Sequence, residues 1–376
     1  MPDRLRVVVA ALAVALLCVP TAGAARGMLV GLLDEAALYD EPTSVFPLMQ
    51  QARTQVLRVN LYWGGRIGVA DRRPARATDP DDPAYDWTLY DRTVNYAAQH
   101  KIRILLSIYA TPAWANGGAG LNVPPRAIAD LNNFAYAAAK RYSGFYPAED
   151  GRALPAVKLW LAWNEPNLSI GLKQQFRRVG GRWVMQSAID YTKLCNAVYG
   201  GVHRTLIRGE KVACGATAPR GNNSPTSSRP TISPLAFMRA LKSAGLRKFD
   251  AYAHHPYYGS KIETPSSKPA TNAVTMGNIN TLIAELTRLW GNKRLWITEY
   301  GYQTNPPDRA FGVSYAKQAA YMKQAYAIAR KNPRIDMMLW FLLRDEPRLG
   351  GWQSGLLTRT GQKKPAFNVF RLLPRG

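Results

Sequence analysis

The stretch Lys158-Leu-Trp-Leu-Ala-Trp-Asn-Glu165-Pro-Asn167 is a short apolar run followed by a glutamate, and Arg294-Leu-Trp-Ile-Thr-Glu299-Tyr-Gly-Tyr302 repeats that design further along the chain. Branched and aromatic residues bounded by polar ones are typical of a buried strand. Each glutamate lies where its strand gives way to a loop that contains Pro or Gly. In a barrel of parallel strands, reactive groups gather at the carboxyl ends of the strands. We therefore expect both glutamates at one rim of a barrel.

Around these two stretches, the chain alternates strand-like runs with helix-like runs. The predicted strands are residues 28–33, 56–63, 102–109, the run before Glu165, 211–217, 249–254, the run that reaches Glu299, and 337–343. The predicted helices are residues 44–53, 88–99, 127–142, 183–203, the helix that Pro234 opens, 276–290, 313–330 and 365–372.

Eight such alternations predict a single closed (β/α)8 barrel, because a parallel sheet has to be buried under helices. The alternative is a doubly wound open sheet. It is disfavoured because no glycine-rich phosphate loop follows the first strand. The longer connections, rich in Pro, Gly, Ser and Asn, all follow strands, and in a barrel they would build a cleft on the carboxyl-terminal face. These connections are residues 64–86, 219–233, 256–275, 303–312 and 344–354.

The first 25 residues have the pattern of a secretory signal peptide. A basic start, Met1 to Arg6, precedes the apolar run Val7 to Pro20 and a stretch of small residues that ends at Ala25. The apolar run is too short to span a bilayer comfortably. We therefore predict a secreted, extracytoplasmic protein whose barrel domain is residues 26–376, with no integral membrane segment.

Removal of this peptide would leave two cysteines, Cys195 and Cys214. Export makes a disulfide chemically permissible, and the two residues fall on a predicted helix and the strand that follows it. Two unpaired thiols packed in the core are the alternative.

The chain is strongly basic, with 49 Lys and Arg against 25 Asp and Glu in 376 residues and a formal net charge of +24. Such a surface attracts polyanions. Nucleic acid is not predicted as a partner, because the basic residues are scattered and no recognition helix or stacking motif accompanies them. Anionic cell-surface polymers suit an exported protein better. A composition that only solvates the surface is the alternative.

The ordered signatures resemble a large clan of retaining (β/α)8 glycoside hydrolases, the cellulase- and β-xylosidase-like enzymes. These enzymes place the acid/base glutamate on strand four and the nucleophile on strand seven. Asn164-Glu165-Pro166 after the fourth predicted strand is the sharpest match, and Thr298-Glu299-Tyr300 on the seventh is its partner. The resemblance implies that Glu165 is the acid/base and Glu299 the nucleophile.

The same resemblance implies supporting and substrate-binding residues. Arg58 matches an arginine beneath the nucleophile, and Asn164 a residue that holds the sugar 2-hydroxyl. In His255-Pro-Tyr257, the tyrosine matches one that hydrogen-bonds the nucleophile, whereas His255 is either a substrate contact or a structural hydrogen-bonding residue.

Two tryptophans are predicted to contact the sugar. Trp340 on the eighth predicted strand matches an aromatic platform beneath the sugar at the cleaved bond. Trp114, in Thr111-Pro-Ala-Trp114, resembles part of the aromatic-lined loop of the xylosidase-like families. Trp63 also offers a flat apolar face to a pyranose.

The chemistry explains why these residue types are needed. Retaining hydrolysis uses one acid and one nucleophile. Glu165 has to be protonated at working pH and therefore needs a raised pKa, whereas Glu299 has to stay ionised, which a cation such as Arg58 and a donor such as Tyr257 would favour.

The prediction is therefore a secreted retaining glycoside hydrolase that acts on a poly- or oligosaccharide. The alternatives are a barrel that binds glycans or cell-wall polymer without cutting them, and a transglycosylase. No cofactor is implied, and no His, Cys and Asp cluster has the spacing of metal ligands.

Overall fold

The computed structural model describes residues 27–148, 150–269 and 271–376. The predicted signal peptide lies outside the described residues. Eight parallel strands form a closed barrel, which confirms the predicted fold class and excludes the open sheet. The strands are β1 Leu29–Leu33, β2 Val56–Tyr62, β3 Arg103–Tyr109, β4 Leu159–Ala162, β5 Lys211–Thr217, β6 Ala251–His254, β7 Arg294–Tyr300 and β8 Ile335–Phe341.

The barrel closes where β1 pairs with both β2 and β8. Leu33 is opposite Arg58 on one side and Phe341 on the other. Alternate residues of the strands point inward and fill the barrel with apolar side chains, as the period of two along a strand requires. These interior residues include Val56, Leu105, Leu161, Ala213, Trp296, Met337 and Leu339.

The helices pack on the outside of the barrel and cover the other face of each strand. They are α1 Glu35–Asp40, α2 Pro42–Gln51, α3 Thr88–Gln99, α4 Ala113–Asn116, α5 Ile128–Arg141, α6 Gln186–His203, α7 Pro234–Ser243, α8 Ile279–Trp290, α9 Tyr315–Arg330 and α10 Pro365–Leu372. A 3-10 turn at Met276–Asn278 precedes α8. Among the described residues, none of the helices combines the length and the hydropathy that a bilayer span requires.

The connection from β4 to α6 contains a small antiparallel hairpin that the sequence prediction missed. Its strands are Arg177–Val179 and Arg182–Val184, and the helix predicted to begin at residue 183 begins at Gln186 instead. Gly180 and Gly181 both have positive φ, at 54° and 80°. Two consecutive left-handed residues make a tight hairpin turn, which glycine adopts without steric cost.

Two buried links hold outer elements to the barrel. Cys195 of α6 and Cys214 of β5 form a disulfide, which settles the alternative that the sequence left open. Lys364, at the start of α10, donates to the Oδ1 atom of Asp345 at 2.7 Å, and both side chains are buried.

Candidate active site

Four strands bring the predicted polar residues together, three of them at their carboxyl ends. Arg58 comes from β2, Asn164 and Glu165 follow β4, Tyr257 follows β6, and Glu299 lies near the end of β7. A cavity of about 780 Å³ opens at this end of the barrel, and Asn164, Glu165, Tyr257 and Glu299 line it. The structure therefore places both glutamates at one rim of the barrel, as the sequence predicts.

Glu299 is held by one cation and one hydroxyl. The Nη1 atom of Arg58 donates to its Oε1 atom at 2.8 Å, and the phenol of Tyr257 donates to its Oε2 atom at 3.1 Å. The Arg58 side chain is fully buried, whereas that of Glu299 is 12% exposed. A charge-assisted bond from a guanidinium stabilises the ionised carboxylate. Both carboxylate oxygens of Glu299 therefore accept a hydrogen bond from a fixed donor.

Arg58 also fixes the amide of Asn164. Its Nη2 atom donates to Asn164 Oδ1 at 2.7 Å and to Asn60 Oδ1 at 3.2 Å. Because a guanidinium is planar and rigid, one side chain sets the positions of Glu299 and Asn164 together.

His255 lies beneath both glutamates and is fully buried. Its Nε2 atom lies 3.2 Å from Arg58 Nη1 and 2.9 Å from the hydroxyl of Thr298, and its Nδ1 atom lies 3.0 Å from Glu165 Oε1. Arg58 can only donate, so Nε2 accepts and the ring proton is on Nδ1, which donates to Glu165. Burial lowers the pKa of His255 to about 4 and keeps the ring neutral. The ring orients Glu165, and of the two roles predicted for His255 its burial favours the structural one.

Glu165 lacks the guanidinium contact that Glu299 has, and its carboxyl group lies against the neutral ring of His255 instead. Burial raises its pKa from 4.5 to about 7, and the nearby charge of Arg58 acts in the opposite direction. Its backbone has a φ of 42°, an uncommon value for a residue other than glycine. The amide of Glu165 donates to the carbonyl of Ala216 at 2.9 Å, and its carbonyl accepts from Leu168 at 3.0 Å, so the turn is held on both sides.

The two carboxylates face each other closely. One oxygen of Glu165, one oxygen of Glu299 and a ring nitrogen of His255 all lie within 4.8 Å of one another. Such a trio has ligand types that bind metal ions. Here Arg58 already supplies the positive charge at Glu299, and the Nδ1 atom of His255 carries a proton, so the trio is better explained as a carboxylate pair with its support.

The predicted sugar contact is wrong for Trp340 and Trp63, because both side chains are fully buried. Trp340 is fully buried between strand and helices, where its indole donates to the carbonyl of Ser354 at 2.8 Å. Trp63 is also fully buried. Trp114 is half-buried and does not line this cavity; its indole donates to the carbonyl of Ala70, and the guanidinium of Arg73 lies 4.6 Å from its ring centre.

Phe341 and Trp352 line the cavity instead. Their rings meet edge to face at a centroid distance of 5.4 Å. Leu339 points into the barrel and Trp340 points outward, so the alternation of β8 turns Phe341 back toward the cavity. That alternation was the signal in the sequence. Nothing in the sequence pointed to Trp352, which belongs to a loop.

Acidic residues after β1 also line the cavity. The Glu35 carboxylate accepts from the amide of Asn60 at 2.6 Å and from the phenol of Tyr62 at 2.9 Å. Glu35 therefore lies at the rim of the barrel and lines the cavity. Asp34, by contrast, caps α1 through the amide of Ala37 and accepts from the amides of Leu343 and Arg344, so its role is structural.

Comparison with known proteins places the chain among barrels of this kind. The model of a family of unknown function, DUF5722, matches residues 237–374. No curated protein matches the chain in sequence. A family 39 glycoside hydrolase from the gut symbiont Bacteroides cellulosilyticus WH2 is similar in structure, with a TM-score of 0.64 and 18% identity over 93% of this chain and 64% of that chain.

Two further solved structures have the same architecture. A glucosidase from Croceicoccus marinus has a TM-score of 0.65 and 14% identity over 94% of this chain and 68% of that one. A fungal β-1,4-galactanase has a TM-score of 0.58 and 14% identity over 92% of this chain and 99% of that one. The chain spans about 64% of the length of the family 39 enzyme. At these identities the likeness shows the fold, a closed parallel barrel that this chain shares with glycoside hydrolases.

Proposed function

We propose that this protein is a retaining glycoside hydrolase in which Glu165 is the acid/base and Glu299 the nucleophile. The observation that carries the proposal is a close pair of carboxylates in two different environments. Glu299 is ion-paired with Arg58, whereas burial raises the pKa of Glu165 to about 7. A carboxyl group with a raised pKa beside an ion-paired carboxylate is suited to the roles of acid and nucleophile.

The spacing of the carboxylates supports retention of configuration. Retaining enzymes hold the two groups roughly 5–5.5 Å apart, and inverting enzymes roughly 6.5–9.5 Å apart to admit a water. Nearest oxygens within 4.8 Å agree with the shorter spacing. In the first step, Glu299 would attack the anomeric carbon while Glu165 gives its proton to the departing glycosidic oxygen. In the second step, Glu165 would take a proton from water, and that water would displace Glu299.

The surrounding residues fit these two steps. The amide of Asn164, held by Arg58, would bind the sugar hydroxyl beside the anomeric carbon. Phe341 and Trp352 would offer apolar ring faces to the sugar. A carbohydrate substrate also agrees with the similar structures, which are those of glycoside hydrolases.

We place this activity outside the cytoplasm. The predicted signal peptide supports export, and the disulfide between Cys195 and Cys214 is compatible with an oxidising compartment. The net charge of +24 would also draw the protein toward anionic polymers of a cell surface.

Kinetics of two alanine variants test the proposal, after a panel of aryl glycosides has identified the sugar. Glu165→Ala removes the proton donor and leaves the nucleophile. Its loss should be about 100- to 10,000-fold on substrates with poor leaving groups and small on dinitrophenyl glycosides. Added azide should speed turnover of the activated substrate, because azide attacks the intermediate without needing a base. Glu299→Ala should process neither substrate with retention.

Glu263→Ala is the matched control, because this carboxylate lies on the loop after β6 and pairs with Arg220 rather than with the proposed active-site residues. It should retain activity on both substrates. Equal losses of Glu165→Ala on activated and natural substrates would remove Glu165 as the acid. If the wild-type protein binds glycans but does not hydrolyse them, it is a non-catalytic glycan-binding barrel. Transfer of the sugar to an added acceptor sugar in preference to water would identify a transglycosylase.

A further inference from the structure

The hairpin between β4 and α6 combines positive charge with exposed apolar surface. The segment Lys173-Gln-Gln-Phe-Arg-Arg-Val-Gly-Gly-Arg-Trp-Val184 contains four cations, and residues 166–189 contain no Asp or Glu. The hairpin arginines are exposed, and Trp183 and Val179 are 47% and 46% exposed. The catalytic role proposed for Glu165 does not use any of these residues.

The pairing of the two strands puts a ring beside a guanidinium. Arg178 lies opposite Trp183, and Val179 lies opposite Arg182. Side chains of directly opposed residues lie on the same face of a strand pair, about 4.5–5.5 Å apart at their Cβ atoms. One face of the hairpin therefore presents a tryptophan next to an arginine, which is an arrangement suited to a sugar ring that carries an acidic group.

The hairpin cations have no carboxylate partners. Within the described part of the chain, Lys173, Arg177, Arg178 and Arg182 form no ion pair, whereas surface arginines such as Arg73 do. Two of these arginines donate hydrogen bonds to neutral groups, and in both cases the donor is the Nε atom. Arg177 donates to Gln186 Oε1 at 2.8 Å, and Arg178 donates to the carbonyl of Gly181 at 3.2 Å. Their terminal guanidinium nitrogens remain available to an anion, which a planar fork can bind through two parallel bonds.

The base of the hairpin connection packs on the proposed acid/base. A Cβ atom at Gly171 would clash with the carbonyl of Glu165, and the indole of Trp163 donates to the carbonyl of Gly171 at 2.8 Å. Leu168 of the same connection lines the cavity. The hairpin therefore belongs to the same connection between β4 and α6 that contributes Glu165 and Leu168 to the cavity.

We propose that the hairpin Arg177–Val184 binds a polyanionic glycan, a polysaccharide whose residues carry carboxylate or sulfate groups. This inference rests on the proposed function, because the same polymer would enter the cavity. Trp183 would stack on a pyranose ring while Arg178, on the same face, pairs with an acidic group of that sugar, and Arg177 and Arg182, on the opposite face, would attract further acidic groups of the polymer. The continuity of the hairpin with the loop of Glu165 favours a glycan over nucleic acid or an anionic membrane.

Binding measurements on an inactivated protein test the proposal. In a Glu299→Gln background, calorimetric titrations would use polygalacturonate as the carboxylated glycan, dextran sulfate as the sulfated one, and dextran as the neutral one. The hairpin variant combines Arg177→Gln, Arg178→Gln and Arg182→Gln. An exposed ion pair changes affinity by a factor of about 1.5 to 5, so three together should weaken polyanion binding about tenfold. The polyanion that binds more tightly, polygalacturonate or dextran sulfate, shows whether the hairpin prefers carboxylate or sulfate groups.

A second triple variant removes the same charge from the opposite end of the barrel. Lys101, Arg103 and Lys211 are exposed near the amino-terminal ends of β3 and β5. Their replacement by Gln should leave polyanion binding within about twofold, because charges beyond about 10 Å are screened. Trp183→Ala should also weaken binding of the polyanion, since it removes the stacking surface and leaves the charges. Circular dichroism of each variant confirms that the barrel is folded.

Hydrolysis of a small uncharged aryl glycoside separates this inference from the proposed function. When Glu299 is retained, the hairpin variant should hydrolyse that substrate at the same rate as the wild-type protein. Equal weakening by the hairpin variant and the opposite-end variant would overturn the inference, because total charge would then explain binding. It would also be overturned if single-stranded DNA or phosphatidylserine vesicles bound the hairpin more tightly than either glycan. Absence of hydrolysis in the wild-type protein, with hairpin-dependent polyanion binding intact, would refute the catalytic proposal alone.

Discussion

Replacement of Glu165 by glutamine should stabilise the protein, and the gain should grow as pH rises. Burial raises the pKa of Glu165 from 4.5 to about 7, so the folded state disfavours the ionised form. In the unfolded chain this carboxyl group ionises above about pH 4.5, whereas in the folded protein burial keeps it neutral up to about pH 7. Ionisation at higher pH therefore favours the unfolded chain. Stability that depends on this group is therefore fully present below pH 4.5 and is lost as pH rises toward 7.

The magnitude follows from the size of the shift. One unit of pKa corresponds to about 1.4 kcal/mol, so the wild-type protein loses about 3 kcal/mol at pH 8 but only about 1 kcal/mol at pH 5. Glutamine is neutral throughout, and its Oε1 atom can still accept the hydrogen bond from His255. The free energy of unfolding of Glu165→Gln relative to wild type should therefore increase by about 2–3 kcal/mol between pH 5 and pH 8.

Reversible urea unfolding at the two pH values measures this difference. Glu285→Gln is the matched control, because hydrogen bonds from Arg288 and Arg239 lower the pKa of Glu285 to about 2. That carboxylate is ionised in the folded state at both pH values, so the control should destabilise the protein by nearly the same amount at each. A gain for Glu165→Gln that does not change with pH would refute the reasoning, since Glu165 would then be ionised across the range and could not serve as an acid.

Three further outcomes are expected. The kcat/KM of the wild-type enzyme should fall as pH rises through about 7, because the Glu165 proton is lost, and a pH profile on a natural glycoside would contradict this if it stayed flat to pH 9. Tyr257→Phe, which removes a hydrogen bond to the nucleophile, should lower kcat/KM about 10- to 100-fold, whereas Tyr258→Phe should change it little. Lys364→Met, which leaves the buried Asp345 carboxylate unpaired, should cost about 3–5 kcal/mol in urea unfolding, and adding Asp345→Leu should recover much of that loss.

The barrel and its reactive rim could be predicted from the sequence because both depend on local patterns. The helix at residues 88–99 and the strand at residues 211–217 were predicted with the bounds that the structure has. Glu165 and Glu299 could be placed at one rim because parallel strands all present their carboxyl ends on the same side.

The errors come from features that are set by packing rather than by pattern. Trp340 and Phe341 are adjacent and aromatic, and a shift of one residue along β8 exchanges the core face for the cavity face. The sequence allows two roles for His255, because its partners come from three other strands. The predicted helix 183–203 includes the end of the hairpin, because the apolar pattern of α6 continues into Trp183 and Val184. Trp352 reaches the cavity through a loop, whose course the local pattern does not specify.

Covalent trapping of the nucleophile tests the central claim most directly. A 2-deoxy-2-fluoro glycoside with a dinitrophenolate leaving group slows both steps, and the good leaving group lets the first step outpace the second, so the glycosyl-enzyme accumulates. Mass spectrometry of the intact protein and of its peptides then locates the label. We predict one fluoroglycosyl group, attached to Glu299 and absent from the Glu299→Gln variant. Release of dinitrophenolate without any labelled protein and with inverted product, or a label on a residue other than Glu299, would contradict the account.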